Sequence, residues 1–267
     1  MRKLRSTIGV VIGVALLTFI IYIPKTEAAL AFDVASEKNG LADDFTWDHT
    51  VATGSDLGLF VCVHVIDFTE ADTVVNGVTF DSVTMTNYSD VLRFSGINYY
   101  RVSLWYLANP ATGTKTISVD IAGTVTDTGG GAVSFSGVNQ ATPLEAKTEA
   151  TGDATTTSID VTTLTDGAWV FDCVTLEVQT ADAVGADQTQ RWNTDLGSMG
   201  MAGSTEGPKS PAGAVTMSWT LDEFLDRQFS HTGVAIKPTA AAAASTDQFT
   251  PRIMWFTFKP EPFFSFV

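Results

Sequence analysis

The chain has 267 residues, 45% of them hydrophobic and only 17% charged. That excludes global disorder and supplies enough apolar mass for one large β-domain or two small ones. The formal net charge is −15, and a surface of that sign repels phosphate backbones, which argues against nucleic acid as a partner. Thr, Val, Ser, Gly and Asp are abundant while Lys, Arg and Glu are scarce, a balance that favours strands and turns over helices.

Residues 1–31 read as an export signal. Arg2, Lys3 and Arg5 give a positive start, Ile8 to Ile23 form an apolar run, Pro24 breaks it, and Ala29-Leu30-Ala31 offers a small-x-small cleavage site. The run is short of the ~20 residues that span a bilayer comfortably, although an uncleaved anchor is the alternative. The expected location is secreted, extracellular or on the cell surface. Without residues 1–31 the chain keeps 11 basic and 29 acidic residues, a net charge of −18.

From Phe32 to Pro238 the pattern is strand after strand. Phe45 to Val51 ends at the turn Thr53-Gly54-Ser55-Asp56. Leu59, Val61, Val63 and Val65 then alternate with Phe60, Cys62 and His64. A strand apolar on both faces belongs in the middle of a sheet with something packed on each side. Val74 to Met85 reads as a bent strand or hairpin around Asn76-Gly77. The cluster Leu104-Trp105-Tyr106-Leu107 follows, then a turn at Asn109 to Thr114, then Ile117, Val119 and Ile121 on a strand with one wet face. Gly129-Gly130-Gly131 reads as a flexible lead into a short strand ending at Val138.

The second half repeats this order. Val170, Val174, Leu176 and Val178 echo the Leu59–Val65 strand at an offset near 111, and Gln188 to Trp192 takes the place of the Val78–Met85 strand. Gly213 to Leu221 matches Gly113 to Ile121 at an offset of 100, and Gly233-Val234-Ala235-Ile236 matches the strand before Val138 at 101. Changing offsets mean loop insertions, which duplicated β-units tolerate. The expected fold is all-β, an antiparallel two-sheet sandwich made of two similar halves, about 32–143 and 144–238, sharing one core. An Ala-rich linker, 239–248, then leads to an aromatic tail, 249–267, in which Trp255, Phe256 and Phe258 mark a strand. So much apolar surface must dock somewhere: on its own sandwich, in a neighbouring subunit as a donated strand, or on a membrane.

Chemistry-bearing residues are sparse. Cys62 and Cys173 fall on corresponding strands, and in an exported protein they form either a disulfide or a pair of buried thiols. His49, His64 and His231 sit on three different strands with no zinc spacing, and His64 reads as a hydrogen-bonded core residue. No Gly-x-Ser-x-Gly occurs, and Glu145, Glu149, Glu177, Glu206 and Glu223 read as solvated acids. Asp43-Asp44, Asp127, and Asp182 with Asp187 are oxygen-rich, yet none matches a calcium-loop signature, so Ca²⁺ is the only cofactor the sequence leaves open. Trp105 and Trp219 read as core. Trp192, after Arg191 and at the head of a glycine-rich stretch from Asn193 to Gly213, and Trp169 are the candidates for a sugar-stacking site.

The runs Val102 to Leu107, Pro110 to Thr114, Ala132 to Val138, Gln188 to Trp192 and Gly233 to Pro238 together resemble a family of uncharacterised exported β-sandwich modules from bacterial and metagenomic surface proteins. The resemblance covers roughly Phe32 to Pro238 and implies a jelly-roll-like or lectin-like sandwich with no established catalytic residues. The expected function is that of a non-enzymatic structural or adhesive surface module, with a glycan or another surface protein as partner. The alternatives are a carbohydrate-binding module using the Trp192 stretch, and a filament or particle subunit joined through its C-terminal strand.

Overall fold

The computed structural model describes residues 29–41, 43–177 and 180–239. The apolar run at the N-terminus, most of the Ala-rich stretch, and the tail with Trp255, Phe256 and Phe258 lie outside the described residues. The first half contributes β1 (Ala31–Leu41), β2 (Phe45–Val51), β3 (Gly58–Asp67), β4 (Val75–Phe80), β5 (Val83–Thr84), β6 (Thr86–Phe94), β7 (Tyr99–Ala108), β8 (Gly113–Ile121) and β9 (Asp127–Ser136). The second contributes β10 (Leu144–Ala154), β11 (Thr156–Thr162), β12 (Ala168–Leu176), β13 (Ala183–Val184), β14 (Thr189–Asp195), β15 (Gly200–Lys209), β16 (Ala214–Thr220) and β17 (Arg227–Ile236).

The strands form four antiparallel sheets. The first half has a large sheet in the order β1-β9-β3-β7-β6 and a small one in the order β2-β8-β4-β5. The second half has β10-β17-β12-β15-β14 and β11-β16-β13. Replacing each first-half strand except β5, which has no separate counterpart, by its equivalent in the second turns one pair of orders into the other, so the duplication is one of topology. With β5 and β6 taken as one bent strand that changes sheets, each half has jelly-roll connectivity. The expected all-β antiparallel sandwich is therefore present and built twice, with the large sheets sharing a core.

That sharing explains the burial pattern. Phe60, Cys62 and Ile66 on one face of β3 join Phe171, Cys173, Trp192, Met201 and Val234 in a cluster between the two large sheets. Leu59, Val61, Val63 and Val65 on the other face pack with Phe45, Trp47, Val78, Ile117 and Val119 against the first small sheet. The second half repeats the inner arrangement with Val174, Leu176, Trp219 and Leu221. All ten residues of β3 are buried, as a strand covered on both faces requires.

Cys62 and Cys173, 111 residues apart, form a disulfide between β3 and β12. Two residues further along each strand His64 Nδ1 meets Thr175 Oγ1 at 2.9 Å, also 111 apart. Equivalent positions touch one another only beside a two-fold axis. Because both pairs advance together, this approximate axis lies along the strands.

Three local readings change. The hairpin expected at Asn76-Gly77 turns instead at Asp81-Ser82, between β4 and β5, and Asn76 sits in a register shift. The segment 188–192 replaces Ser82 to Ser89 and not Val78, whose place opposite the inward residue of β8 is taken by Val184 opposite Trp219. Gly129, Gly130 and Gly131 lie within β9. They make room: a Cβ on Gly130 would lie 2.8 Å from the Trp47 ring, and one on Gly131 would lie 2.4 Å from the Trp192 ring. A tryptophan thus packs on each face of the same strand.

Candidate functional site

Trp192 is a core residue. It is only 3% exposed and lies over Gly131 of the other half and Gly203 of its own sheet. The stretch after it is a strand, a tight turn closed by Leu196 N–H to Met199 O at 2.9 Å, and another strand. The glycines at 200 and 203 are strand residues there, so the expected sugar-binding loop does not exist. On the opposite side of the two-fold axis the equivalent pair is Ser89 and Thr232, whose hydroxyls bond at 2.7 Å. The junction therefore pairs a ring with a hydrogen on one flank and two hydroxyls on the other.

Arg191 and Trp169 are half-buried at a seam between the halves. The Arg191 guanidinium stacks 3.5 Å from the centre of the Phe32 ring, and its Nε–H donates to Thr205 Oγ1 at 2.8 Å. Burial pushes its pKa down. Phe32 packs edge-on against Phe135, and Phe135 against Trp169, whose Nε1–H donates to the Leu30 carbonyl at 3.1 Å. The equivalent seam has Lys147 5.6 Å from the Tyr88 ring. Tyr88 occupies the position of Arg191, so the cation–aromatic contact recurs with cation and ring exchanged between the halves. The three residues expected to bind a ligand hold the halves together.

The histidines are buried too. His64 Nδ1–H donates to Thr175, whose own hydroxyl donates to the Arg101 carbonyl at 3.0 Å. That leaves His64 Nε2 buried with no partner among the described residues, and burial depresses the pKa to about 3. His49 Nδ1 bonds to Ser36 Oγ at 2.7 Å; burial lowers its pKa to about 4, against a smaller opposing pull from Asp33.

The second half contains a polar network that strand alternation alone did not reveal. Asp172, fully buried, accepts Ser204 N–H at 2.9 Å and Ser204 Oγ–H at 2.5 Å on Oδ1. Its Oδ2 accepts Trp219 Nε1–H at 2.8 Å and His231 Nε2–H at 3.0 Å. Thr157 Oγ1 lies 3.0 Å from His231 Nδ1, and Gln188 Nε2 donates to Ser204 Oγ at 2.7 Å. Aligned on the strands, Asp172 and His231 stand where the first half has Val61 and Gly130. The one signal in the sequence was a lone carboxylate inside the apolar run 170–176.

Two of the surface clefts lie in corresponding places, one beside β8 and the other beside β16. The first, of about 420 Å³, is lined by Thr46, Asp81, Ser82, Lys115, Thr116 and Ser118. The second, of about 330 Å³, is lined by Asp187, Glu206, Lys209, Thr216 and Ser218. Thr116 and Ser118 correspond to Thr216 and Ser218. Asp81 and Asp187 are matching turn residues, and both hold the left-handed conformation, at φ 49° and 64°. Lys115 pairs with Asp81 at 3.1 Å. Thr116 Oγ–H donates to Asp48 at 2.9 Å and Thr216 Oγ–H to the equivalent Asp160 at 2.6 Å. Burial and the nearby Asp187 carboxylate raise the Glu206 pKa, against a lowering pull from Lys209.

As for calcium, Asp127 lies in β9, where its carboxylate accepts the backbone N–H groups of Thr128 at 3.0 Å and Ser198 at 3.1 Å. No group of three or more His, Cys, Asp or Glu side chains placed to share a metal ion occurs among the described residues. Comparison of the chain with protein-family models, with curated proteins and with solved structures finds no match.

Proposed function

We propose that the chain is an exported, non-catalytic β-sandwich protein that works as a structural and adhesive module at a cell surface or in the extracellular space. The carrying observation is where its reactive side chains are spent: three histidines, both cysteines, Asp172 and Trp192 are all buried in packing between strands. A disulfide across the junction suits an oxidising compartment. A body whose two large sheets are covered on both faces is a suitable mechanical element. The test is retention of the full chain on immobilised cell-wall polysaccharide or on cells, with no product released. Turnover of a polysaccharide that disappears in a Glu206→Gln variant would overturn the reading.

A second reading, carbohydrate binding, is favoured by the equivalence of the two clefts. Their hydroxyl, carboxylate and lysine linings offer donors and acceptors to a polyhydroxylated ligand. Calorimetry with oligosaccharides should then show two sites per chain, reduced to one by Thr216→Val or by Thr116→Val alone. Assembly through Trp255, Phe256 and Phe258 concerns residues outside those described.

A further inference from the structure

The strands give the module two distinct ends. Ala31 pairs with Ser136 at the close of β9, Leu30 receives the Trp169 indole N–H, and Thr239 N–H donates to the Gly137 carbonyl at 2.7 Å. Both ends of the described chain therefore leave from one end of the body, where β3 and β12 begin. At the opposite end three loops hold large apolar side chains in water. Phe68 follows β3 and is 63% exposed; Phe94 and Ile97, on the β6–β7 turn, are 48% and 70% exposed; Phe224 and Leu225, before β17, are 85% and 56% exposed.

The equivalent turn of the second half carries polar side chains at the same outward positions. The same backbone hydrogen bond closes both turns, Ser95 N–H to Asn98 O and Leu196 N–H to Met199 O, each at 2.9 Å, so Phe94 and Ile97 correspond to Asp195 and Ser198, while Leu196 and Met199, 7% and 0% exposed, take the inward places of Ser95 and Asn98. The first-half turn keeps its apolar side chains outside, with Phe94 stacked on Tyr99 at 4.5 Å.

The charge around these side chains is mostly negative, with Arg93 the one arginine among them bonded to a neutral partner. Glu70, Glu223 and Asp226 are exposed beside them and Asp72 is half-buried. The arginines of the same end are engaged: Arg101 with Asp90, Arg227 with Asp222, and Arg93 Nε–H with Gln228 Oε1 at 2.7 Å.

We propose that this end is a docking surface for a partner protein presenting an apolar groove rimmed by Lys and Arg. Apolar anchors supply the affinity of such a contact, and carboxylates facing basic residues steer it and set its specificity. The same acidity disfavours an anionic lipid surface and a second copy meeting end to end, which would bring carboxylates together. Both ends of the described chain lie at the far side, away from this surface.

The test uses the fluorescently labelled full chain on an array of synthetic peptides with Leu/Phe centres, half flanked by Lys and Arg and half by Asp and Glu. Binding to the basic set is expected, weakening as salt rises and falling by about tenfold or more in an Ile97→Ser/Phe224→Ser double variant. Both positions are solvent-exposed, so an unchanged melting curve for that variant will separate lost binding from lost folding. Binding to neither set, equal binding to both, or binding unaffected by the double variant overturns the proposal. So does self-association of the full chain that the double variant abolishes, because the occupant would then be a second copy. Gain of peptide binding only after deletion of residues 249–267 would assign the surface to the chain's own tail, and overturns it likewise.

Discussion

Cys62 and Cys173 are bonded across the junction of two sandwiches, and each is the topological equivalent of the other. A cross-link on a two-fold axis joins the central strands of both large sheets and closes a loop of 111 residues. In the chain-entropy account such a loop stabilises the fold by about 4–5 kcal/mol. A Cys62→Ala/Cys173→Ala variant should lose stability of that order in urea unfolding. Reductant should act on the native protein slowly, since both sulfurs are fully buried. A variant that unfolds at the wild-type midpoint would mean the apolar junction alone holds the halves.

The flank where Trp192 packs on Gly131 can be rebuilt as the other flank, where Ser89 meets Thr232. Trp192→Ser alone opens a cavity and should cost about 3–5 kcal/mol. Gly131→Thr alone forces a side chain into the indole and should cost about 1–3 kcal/mol. Together they recreate the hydroxyl pair, and the double variant should be more stable than the sum of its parts by about 1 kcal/mol or more. A double-mutant cycle in urea measures this, and strict additivity would show that the two flanks are not interchangeable.

How far the sequence reveals this design can be read at these same residues. Alternation in 58–67 announces a strand covered on both faces, because each face carries its own apolar set. The repeat is visible because β8 and β16 hold their inward residues at one offset of 100. Alternation does not say what lies against a glycine, so 129–131 reads as slack when it is space kept for two rings. For the same reason glycines at 200 and 203 disguise β15 as a loop and put Trp192 on the surface. The equivalent clefts depend on Asp81 and Asp187 both turning left-handed, and residue type alone does not fix that conformation. Asp172 is visible as an acid out of place, but its partners Ser204, Trp219 and His231 come from three other strands.

Asp172 makes a separate prediction. It satisfies four donors in a space without water access, and the first half fills the same position with Val61. Asp172→Val leaves the Trp219, His231 and Ser204 donors buried and unpaired, each at a cost of about 1–3 kcal/mol. The loss should exceed that of a Val61→Ala substitution in the other half, where only apolar contact is removed. Near-UV circular dichroism should report the change at Trp219. A mild loss with an unchanged tryptophan spectrum would mean the network contributes little to the packing of this core.

Acid should destabilise the protein through its buried histidines from about pH 6.5 downward. Burial holds His64 at a pKa of about 3 and His49 at about 4, both well below the ordinary histidine value of 6.5. In the unfolded chain each takes up its proton near 6.5. Between about pH 6.5 and pH 4 the unfolded state therefore binds more protons than the folded one. Stability present above 6.5 falls as pH falls, by at most about 1.4 kcal/mol per pH unit for each histidine. Urea midpoints measured from pH 7 to pH 5 should decline, and the decline should flatten in a His49→Gln/His64→Gln variant, whatever that variant loses at neutral pH. An equally steep decline in the variant would assign the acid sensitivity to other groups.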